Sequence, residues 1–208
     1  IKSLIEYRKN TEKIVKREAE ANLPTKHGFF KIIGYRNMVT EKEHVAIVKG
    51  NVSGNEPVLA RIHSKCLTGD VFDSLRCDCG DQLLKSLDSI EKEGRGVVIY
   101  MDQEGRGIGI INKIRAYRLQ EKGMDTVEAN SALGFSADLR DYWEAAQIFK
   151  DLAVTRVKLM TNNPQKISNM IKYGIEVTQR IPINTIHSKY NEYYLKTKKD
   201  KMGQFINC

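Results

Sequence analysis

Three of the four cysteines in this 208-residue chain fall within one short stretch, HSKCLTGDVFDSLRCDCGDQL. They are Cys66, Cys77 and Cys79, and the fourth is the last residue, Cys208. The segment CDCGD indicates a sharp turn that runs into a helix, where the sulfur atoms of Cys77 and Cys79 can converge on one ion and gain from the positive end of the helix dipole. Tetrahedral thiolate coordination suits Zn²⁺ best.

The cysteine cluster has two other interpretations. Free cysteines often pack as small apolar residues, but the polar neighbours of this stretch argue against inert burial; they are Asp70, Asp73, Arg76, Asp78 and Asp81. A structural zinc ion takes four protein ligands, whereas a catalytic one takes three and leaves a position for water. His63 could be the fourth ligand or could simply line the site. We expect three thiolate ligands and an open position.

The net charge and the distribution of basic residues narrow the kinds of partner that the chain can bind. The net charge of +8, from 34 Lys and Arg against 26 Asp and Glu, favours an anionic partner. Nucleic-acid binding would need basic residues interleaved with aromatic ones on one face, but here the basic residues are scattered. The densest run, KTKKDK, is expected to be a solvated tail. A phosphorylated small molecule is therefore favoured, with no nucleic acid.

The chain also gives no sign of a membrane partner. No apolar run approaches the roughly 20 residues that span a bilayer, and the N-terminal stretch has no apolar signal-peptide core. We expect a cytoplasmic location, where clustered cysteines bind metal or do chemistry more often than they form disulfides.

The order of secondary-structure patterns predicts an α+β domain with a mixed β-sheet. Residues 1–22 are predicted to be a polar helix or linker, with Leu4, Ile5, Ile14 and Val15 as weak apolar anchors, and 23–208 a single catalytic domain. Three strands come first, in FFKIIGY, HVAIVKG and VLARIH. Strands and helices then alternate, with a helical face of Leu83, Leu84, Leu87 and Ile90. The later strands are GVVIYM, VKLMT and IEVTQRIPI, and the later helices NKIRAYRLQEKG, LRDYWEAAQIFKDL and NPQKISNMIKYG.

Two loops are candidates for phosphate binding. DQEGRGIG (102–109) follows a predicted strand, and its glycines could let backbone N–H groups approach a phosphate, although a plain tight turn explains it equally well. TNNPQK (161–166) leaves a strand and enters a helix, with Asn163 as the N-cap and Pro164 at the first helical position. Its free N–H groups, with Thr161 and Lys166 beside them, could bind an anion, but a capped helix without a ligand remains possible.

Three long segments resemble the signature blocks of GTP cyclohydrolase II. They are RIHSKCLTGDVFDSLRCDCGDQL, QEGRGIGIINKIRAYRLQEKGMDTVEAN and LMTNNPQK, and the resemblance runs from about Ala21 to Gly203. It implies conversion of GTP into a 2,5-diaminopyrimidinone ribotide, formate and pyrophosphate, with Zn²⁺ and Mg²⁺, in a homodimer that opens the riboflavin pathway. The first twenty residues resemble the linker of bifunctional proteins with an upstream 3,4-dihydroxy-2-butanone 4-phosphate synthase, and a start at Ile1 fits an excised second half.

The resemblance also assigns the site residues. It implies that the three clustered cysteines are zinc ligands. It also implies that Glu104 binds the N1–H and 2-amino edge of guanine and that Arg106 binds a phosphate through a bidentate pair of hydrogen bonds. The positions implied for substrate binding are Arg61, Ile62, His63, Ser64, Lys65, Gln82, Glu104, Gly105, Arg106, Thr126, Thr161 and Lys166.

Three further residues match the catalytic positions of that family. Tyr117 matches its catalytic tyrosine, which donates a hydrogen bond or a proton. Asp138 and Arg140 match the proton acceptor and the nucleophile on the α-phosphate. A neutral guanidine is costly because the pKa of arginine is above about 12, so Arg140 is either that nucleophile or an electrostatic clamp on the departing pyrophosphate.

The sequence departs from the family pattern at two positions. Lys65 stands where the family usually carries glutamate, and Asp102 stands where many members carry arginine. The two charges have exchanged together, which suggests that these side chains face each other. Two independent surface changes are the alternative.

Two other functions remain open at this point. One is an enzyme of the same fold that stops at a ring-opened formamide, although the presence of Tyr117 and Arg140 argues against it. The other is a non-catalytic zinc domain that binds nucleic acid through its positive charge, which salt-dependent DNA binding would reveal.

Overall fold

The computed structural model of the protein describes residues 2–185, 188 and 190–205. The helices are α1 Lys2–Thr11, α2 Leu67–Asp70, α3 Cys79–Glu93, α4 Gly109–Gln120, α5 Thr126–Ala132, α6 Trp143–Asp151, α7 Pro164–Lys172 and α8 Glu192–Met202, with a 3-10 turn at Glu104–Gly107. The strands are β1 Val15–Thr25, β2 Gly28–Asn37, β3 Glu43–Lys49, β4 Val58–Ser64, β5 Gly96–Met101, β6 Arg156–Met160 and β7 Glu176–Ile181. Within these ranges no helix has the length and apolar character needed to span a membrane.

The seven strands form one mixed sheet in the order β1-β2-β3-β5-β4-β6-β7. Strands β1, β2, β3 and β5 pair antiparallel, whereas β5, β4, β6 and β7 run parallel to one another. The predicted α+β class with a mixed sheet is therefore confirmed. Short turns join β1 to β2 and β2 to β3, whereas helices lie between the strands of the parallel pairs, as such pairs require.

Both faces of the sheet are covered, so the central strands are buried over nearly their whole length. Residues 58–63 of β4 are all buried, as expected for a parallel strand packed on two sides. On one face, α3 packs through Leu87 and Ile90 against a smaller apolar cluster. On the other, α6 and α7 pack against the main core, which includes Phe149 and Met170.

This topology brings the carboxyl ends of β4, β5 and β6 together at one edge of the sheet. The chain leaves β4 toward β5 on one side and returns to β6 on the other side of β4. Such a reversal opens a crevice outside the carboxyl ends of the strands, which is where open α/β sheets bind ligands. The loops that follow these three strands begin at Lys65, Asp102 and Thr161.

The prediction of a polar helix over residues 1–22 is wrong for residues 12–22. Helix α1 ends at Thr11, and β1 begins at Val15 and pairs with β2. Val15 is a buried core residue and not a helical anchor, and Ile14 is buried beside it. The proposed anchors Leu4 and Ile5 have side chains outside the described set. Most of β1 is solvent-exposed, so it carries little apolar alternation to indicate a strand.

Three other expectations need correction. Leu84 is 41% exposed, so it lies off the apolar face of α3. Helix α6 begins at Trp143, and residues 138–142 are a loop. The KTKKDK run is not a solvated tail, because it belongs to α8 and its Thr197 and Lys198 are buried.

Candidate active site

The three clustered cysteines meet at one point beside the carboxyl end of β4. Cys66 follows β4, and Cys79 is the first residue of α3. The Sγ atoms of Cys66 and Cys77 are 3.6 Å apart, and all three Sγ atoms lie within 4.8 Å of one another. Three thiols at this separation can bind a single metal ion, as the sequence spacing predicts.

Two glycines make this close packing possible. A Cβ atom on Gly69 would lie 2.9 Å from Cys77 Sγ and 3.2 Å from Cys66 Sγ, and one on Gly80 would lie 2.4 Å from the carbonyl oxygen of Gly69. Real Cβ atoms essentially never approach another atom within 3.0 Å, so the contacts with Cys77 Sγ and with the Gly69 carbonyl would force the turn to shift. A larger residue at Gly69 or Gly80 would therefore collide with the thiol cluster or with the turn beside it.

The charge state of the cluster also fits a bound cation. Cys77 and Cys79 donate hydrogen bonds that lower the pKa of the Cys66 thiol, and Lys113 adds to this effect. The sulfur of Cys66 in turn raises the pKa of Cys77 to about 11 and that of Cys79 well above its usual value, with burial as a further cause. Because three adjacent thiolates repel one another, full ionisation needs a cation among them.

His63 is held away from the thiol cluster by another partner. Its Nε2 lies 3.0 Å from Asp70 Oδ1, and its ring stacks on Tyr100. Asp70 also accepts hydrogen bonds from the backbone N–H of Cys66, at 2.9 Å, and from the Tyr100 hydroxyl, at 2.8 Å. His63 is absent from the metal-capable cluster. Asp70 therefore fixes the loop that carries Cys66, and His63 lines the cleft.

Glu104 ties the turn after β5 to the same loop. Its carboxylate accepts hydrogen bonds from the backbone N–H of Leu67, at 2.6 Å, and from Lys113 Nζ, at 2.8 Å. Lys113 Nζ also lies 3.1 Å from Cys66 Sγ. Both oxygens of Glu104 thus already have protein partners, and a guanine edge would have to share them.

The backbone of this turn is strained at Arg106. Gly105 and Arg106 have φ angles of +61° and +62°, a left-handed conformation that is easy for glycine but uncommon for arginine. Arg106 NH2 is buried without a hydrogen-bond partner among the described residues. Strain and an unpartnered donor at one residue indicate a position shaped for a ligand.

Tyr117 stands over the thiol cluster from α4. Its hydroxyl lies 3.1 Å from Thr68 Oγ1, and the Arg76 guanidinium packs over its ring at 4.7 Å. Burial raises the pKa of Tyr117, so the phenol keeps its proton at neutral pH. Its position and protonation state suit a hydrogen-bond or proton donor.

A second part of the cleft lining, which we call the cationic wall, is formed by Arg61 on β4, Arg140 and Lys166. Arg61 is buried and donates to the Met160 carbonyl at 2.9 Å and to the side-chain oxygen of Gln82. Gln82 Nε2 donates to Asp78 Oδ2 at 2.7 Å. Asp78 stands between two of the cysteines, so a chain of hydrogen bonds joins the cationic wall to the metal turn.

Arg140 and Asp138 form a two-pronged ion pair in the loop before α6. Arg140 Nε donates to Asp138 Oδ1 at 2.9 Å, and its NH2 donates to Oδ2 at 2.5 Å. Burial alone would lower the pKa of Arg140, but Tyr142 and the Asp138 carboxylate raise it above its usual value. The guanidinium therefore keeps its charge, which favours a clamp over a nucleophile.

The loop after β6 has the predicted capped helix start. Asn163 Oδ1 accepts from the Gln165 N–H at 2.9 Å, and Pro164 is the first residue of α7. Thr161 Oγ1 accepts from the Asn163 N–H at 3.0 Å. Lys166 is buried, and its Nζ donates to the Ile62 carbonyl at 2.7 Å. Burial, with Arg61 and Arg140 nearby, lowers the pKa of Lys166 well below its usual value.

The expected pairing of the two exchanged charges is confirmed. Lys65 Nζ lies 3.3 Å from Asp102 Oδ1, and both side chains are about 40% exposed, at 41% and 40%. An ion pair at this exposure contributes little to stability, roughly 0–1 kcal/mol. Its two members follow β4 and β5 directly.

The cleft brings nearly all of the sequence-predicted site residues together. All but Ile62 and Asp138 line it; Ile62 acts through its carbonyl oxygen, and Asp138 holds Arg140 from behind. Thr126 lines the cleft as the first residue of α5, a helix that the sequence patterns did not indicate.

Sequence reasoning missed several cleft residues. They are Arg76, Gln103, Lys113, Asn130, Asn162, Tyr194, Lys198 and Gln204. Lys113 was detectable, because it precedes Tyr117 by four residues and shares its helix face. Tyr194 and Lys198 come from α8 and had no local signal.

A thiol cluster and buried cations in one cleft, at the ends of the parallel strands of a mixed α+β sheet, form the kind of site in which such sheets bind small-molecule ligands. The sequence model of the GTP cyclohydrolase II family matches residues 16–182. The chain belongs to that family.

Curated relatives agree with this assignment. The chain is 55% identical over 207 residues to riboflavin biosynthesis protein RibBA of Bacillus cytotoxicus and 53% identical over 208 residues to that of Chlorobium phaeovibrioides. All of this chain is covered in both matches, but only 52% and 51% of the relatives. The chain therefore spans about half the length of the curated relatives it matches.

A solved structure shares the fold. It is RibBX, a two-domain 3,4-dihydroxy-2-butanone 4-phosphate synthase from A. baumannii, with a TM-score of 0.51 and 20% sequence identity. The match covers 88% of this chain and 44% of that one. At this identity the likeness concerns the fold alone.

Proposed function

We propose that the protein hydrolyses GTP to 2,5-diamino-6-(5-phosphoribosylamino)pyrimidin-4(3H)-one, formate and pyrophosphate, the first step of riboflavin biosynthesis. The observation that carries this proposal is that the thiol cluster and the buried cations face one cleft. One end of the cleft suits a metal ion and the other suits phosphates. A nucleoside triphosphate whose base reacts at one end and whose phosphates are cleaved at the other needs both.

The charge balance of the cleft supports an anionic substrate. Among the described residues, the lining has a single carboxylate, that of Glu104, against eight cationic side chains, which are Arg61, Lys65, Arg76, Arg106, Lys113, Arg140, Lys166 and Lys198. Buried like charges are costly unless they are paired. Five of the eight are paired with carboxylates. A bound triphosphate would supply an anion to Arg61, Arg106 and Lys166, which form no ion pair within the described residues.

Zn²⁺ fits the donor set of the thiol cluster. Cys66, Cys77 and Cys79 would hold it, and three protein ligands leave a position open. When bound, zinc supplies a water of lowered pKa, near about 7, and polarises the substrate. No carboxylate cluster suited to Mg²⁺ is found within the described ranges, so we assign Mg²⁺ to the phosphates of GTP, as part of the substrate.

The protein's own groups would act at both ends of GTP. Tyr117, protonated and next to the thiol cluster, would donate to the base as its imidazole ring opens. Glu104, with help from Gly105, would orient the guanine edge while Lys113 holds its carboxylate. Arg140 would clamp the departing pyrophosphate while Asp138 fixes the guanidinium. Lys166, Thr161 and Arg106 would hold the remaining phosphate oxygens.

The same proposal extends to the context of the chain. The names of the relatives and their double length support fusion to an upstream 3,4-dihydroxy-2-butanone 4-phosphate synthase domain. A homodimer and a cytoplasmic location are further parts of the proposal, both expected from the family resemblance.

One assay tests the reaction. The zinc-loaded chain is incubated with GTP and Mg²⁺, and formate, pyrophosphate and the pyrimidine chromophore are measured together. We expect all three in equal amounts. A ring-opened formamide without formate would indicate the shorter reaction. No turnover, with salt-dependent binding of random DNA, would indicate a non-catalytic domain.

A further inference from the structure

Helix α8 lies outside the residues that the family model matches, yet it forms part of the cleft. The match ends at residue 182, whereas α8 runs from Glu192 to Met202. Tyr194 and Lys198 of α8 line the cleft together with the metal-site and phosphate-site residues. The sequence resemblance gave neither of them a role.

Lys198 makes a buried ion pair with the metal turn. Its Nζ donates to Asp78 Oδ1 at 2.6 Å, and the two side chains are 8% and 2% exposed. Asp78 is the residue between Cys77 and Cys79, and it is the N-cap residue of α3. Removing one partner of such a pair leaves a buried charge without compensation, which is strongly unfavourable.

The remaining contacts of Asp78 show that Lys198 closes a network. Asp78 Oδ2 accepts from Gln82 Nε2 at 2.7 Å and from Thr185 Oγ1 at 3.2 Å. Gln82 accepts in turn from Arg61. Among the described residues, Lys198 is thus the only cation that hydrogen-bonds to the Asp78 side chain, and it lies 120 residues further along the sequence.

We propose that Lys198 is a positioning residue for the metal site, holding the Cys77–Cys79 turn through Asp78 so that the thiols keep their metal-binding geometry. This inference rests on the proposed zinc site. The inference goes beyond the zinc site because it makes α8, which lies outside residues 16–182 of the family match, a part of the active site. Partners that orient metal ligands from behind typically contribute 10–100-fold to metal affinity.

The helix has a second anchor that separates this role from simple docking. Lys201 pairs with Asp125, the N-cap residue of α5, and its Nζ lies 3.0 Å from Glu128. These contacts hold α8 in place but do not touch the metal turn. Lys199, the neighbour of Lys198, is exposed and serves as a matched control.

The test measures zinc release into a chromogenic chelator from the full chain. We expect Lys198→Met to release zinc roughly 10–100-fold faster than the wild type. Lys198→Arg, which keeps the charge, should restore most of the retention. Lys199→Met should match the wild type, and Lys201→Met should lower the melting temperature with a much smaller effect on release. Thr185→Val removes another hydrogen bond to Asp78 and should accelerate zinc release less than Lys198→Met does. It replaces Lys198→Met in the test if Lys198→Met does not fold.

A metal-free measurement keeps this inference separable from the proposed function. In a Cys208→Ser background, the labelling rate of the remaining thiols is measured on zinc-free protein. Faster labelling in Lys198→Met, reversed in Lys198→Arg, would support the positioning role even if the wild type held no zinc. Unchanged zinc release and labelling in both Lys198→Met and Thr185→Val would overturn it, as would equal acceleration by Lys199→Met.

Discussion

The two walls of the cleft are built in opposite ways. The thiol wall comes from fourteen consecutive residues, Cys66 to Cys79, and two glycines and the Asp70 carboxylate hold its shape. The cationic wall is assembled from Arg61, Arg140 and Lys166, which come from three separate segments. The first wall is compact and local, and the second depends on the whole sheet.

The difference shows what each wall lacks. The thiols lack a cation, because together they cannot ionise without one. The cationic wall lacks an anion, because Asp138 is paired with Arg140 and no carboxylate lies against Lys166 in the hydrogen bonds of the described residues. A metal ion and a polyphosphate would complete the two walls separately. Substitution of Lys166, which donates to the Ile62 carbonyl and not to the Arg61–Gln82–Asp78 chain, should therefore change phosphate affinity without changing the metal content.

The largest effect is expected at the thiol wall. Cys77→Ser should remove zinc and all ring opening, because two thiolates and a hydroxyl no longer form the site. Elemental analysis and the formate assay check this. Cys208→Ser, at a residue outside the described ranges, is the control and should leave the zinc content and the ring-opening rate unchanged. Full zinc content in Cys77→Ser would contradict the ligand assignment.

The next effect separates chemistry from binding. Tyr117→Phe should lower kcat by roughly 10²–10⁴-fold, the range for a lost proton donor, with little change in KM if the hydroxyl acts mainly in the transition state. Steady-state kinetics on zinc-loaded protein measure the two constants. Tyr7→Phe, at an exposed tyrosine of α1, is the control. A rise in KM without a fall in kcat would make Tyr117 a binding residue.

A smaller effect is expected at the cationic wall. Lys166→Ala should weaken the affinity for GTP by roughly 10–100-fold, since a hydrogen bond to a charged group contributes about 1.5–3 kcal/mol. The affinity for guanosine should change much less, and the zinc content should stay constant. Calorimetric titration with both ligands measures this, with Lys172→Ala, an exposed position on the same helix, as the control. Equal losses for GTP and guanosine would count against a phosphate role.

The smallest effect is expected at the exposed pair between the walls. Lys65→Glu and Asp102→Arg should each lower stability or GTP turnover, and the double variant should recover most of the loss. The coupling should be modest, roughly 0.2–1 kcal/mol. A double-mutant cycle on thermal unfolding and turnover measures it. Simple additivity would mean that the contact at 3.3 Å has no energetic consequence.

The contrast between the walls also explains what the sequence could predict. The thiol cluster and the Asn163–Pro164 helix start were readable because metal spacing and N-capping are local chemistry. The strand over residues 15–25 was missed because its mostly exposed side chains show no apolar alternation. Lys198 was missed because only the folded chain brings it to Asp78, 120 residues away. Nothing within a charged run distinguishes a buried lysine from its solvated neighbours.

The central claim is that one cleft holds a metal ion at its thiol wall and a triphosphate at its cationic wall. The most direct test is a crystal structure of the zinc-loaded chain with a non-hydrolysable GTP analogue, with anomalous data collected at the zinc edge. We expect one anomalous peak about 2.3 Å from the Sγ atoms of Cys66, Cys77 and Cys79, the guanine beside it, and the phosphates against Arg140 and Lys166. A peak away from the three sulfur atoms, or phosphates bound outside the cationic wall, would contradict the account.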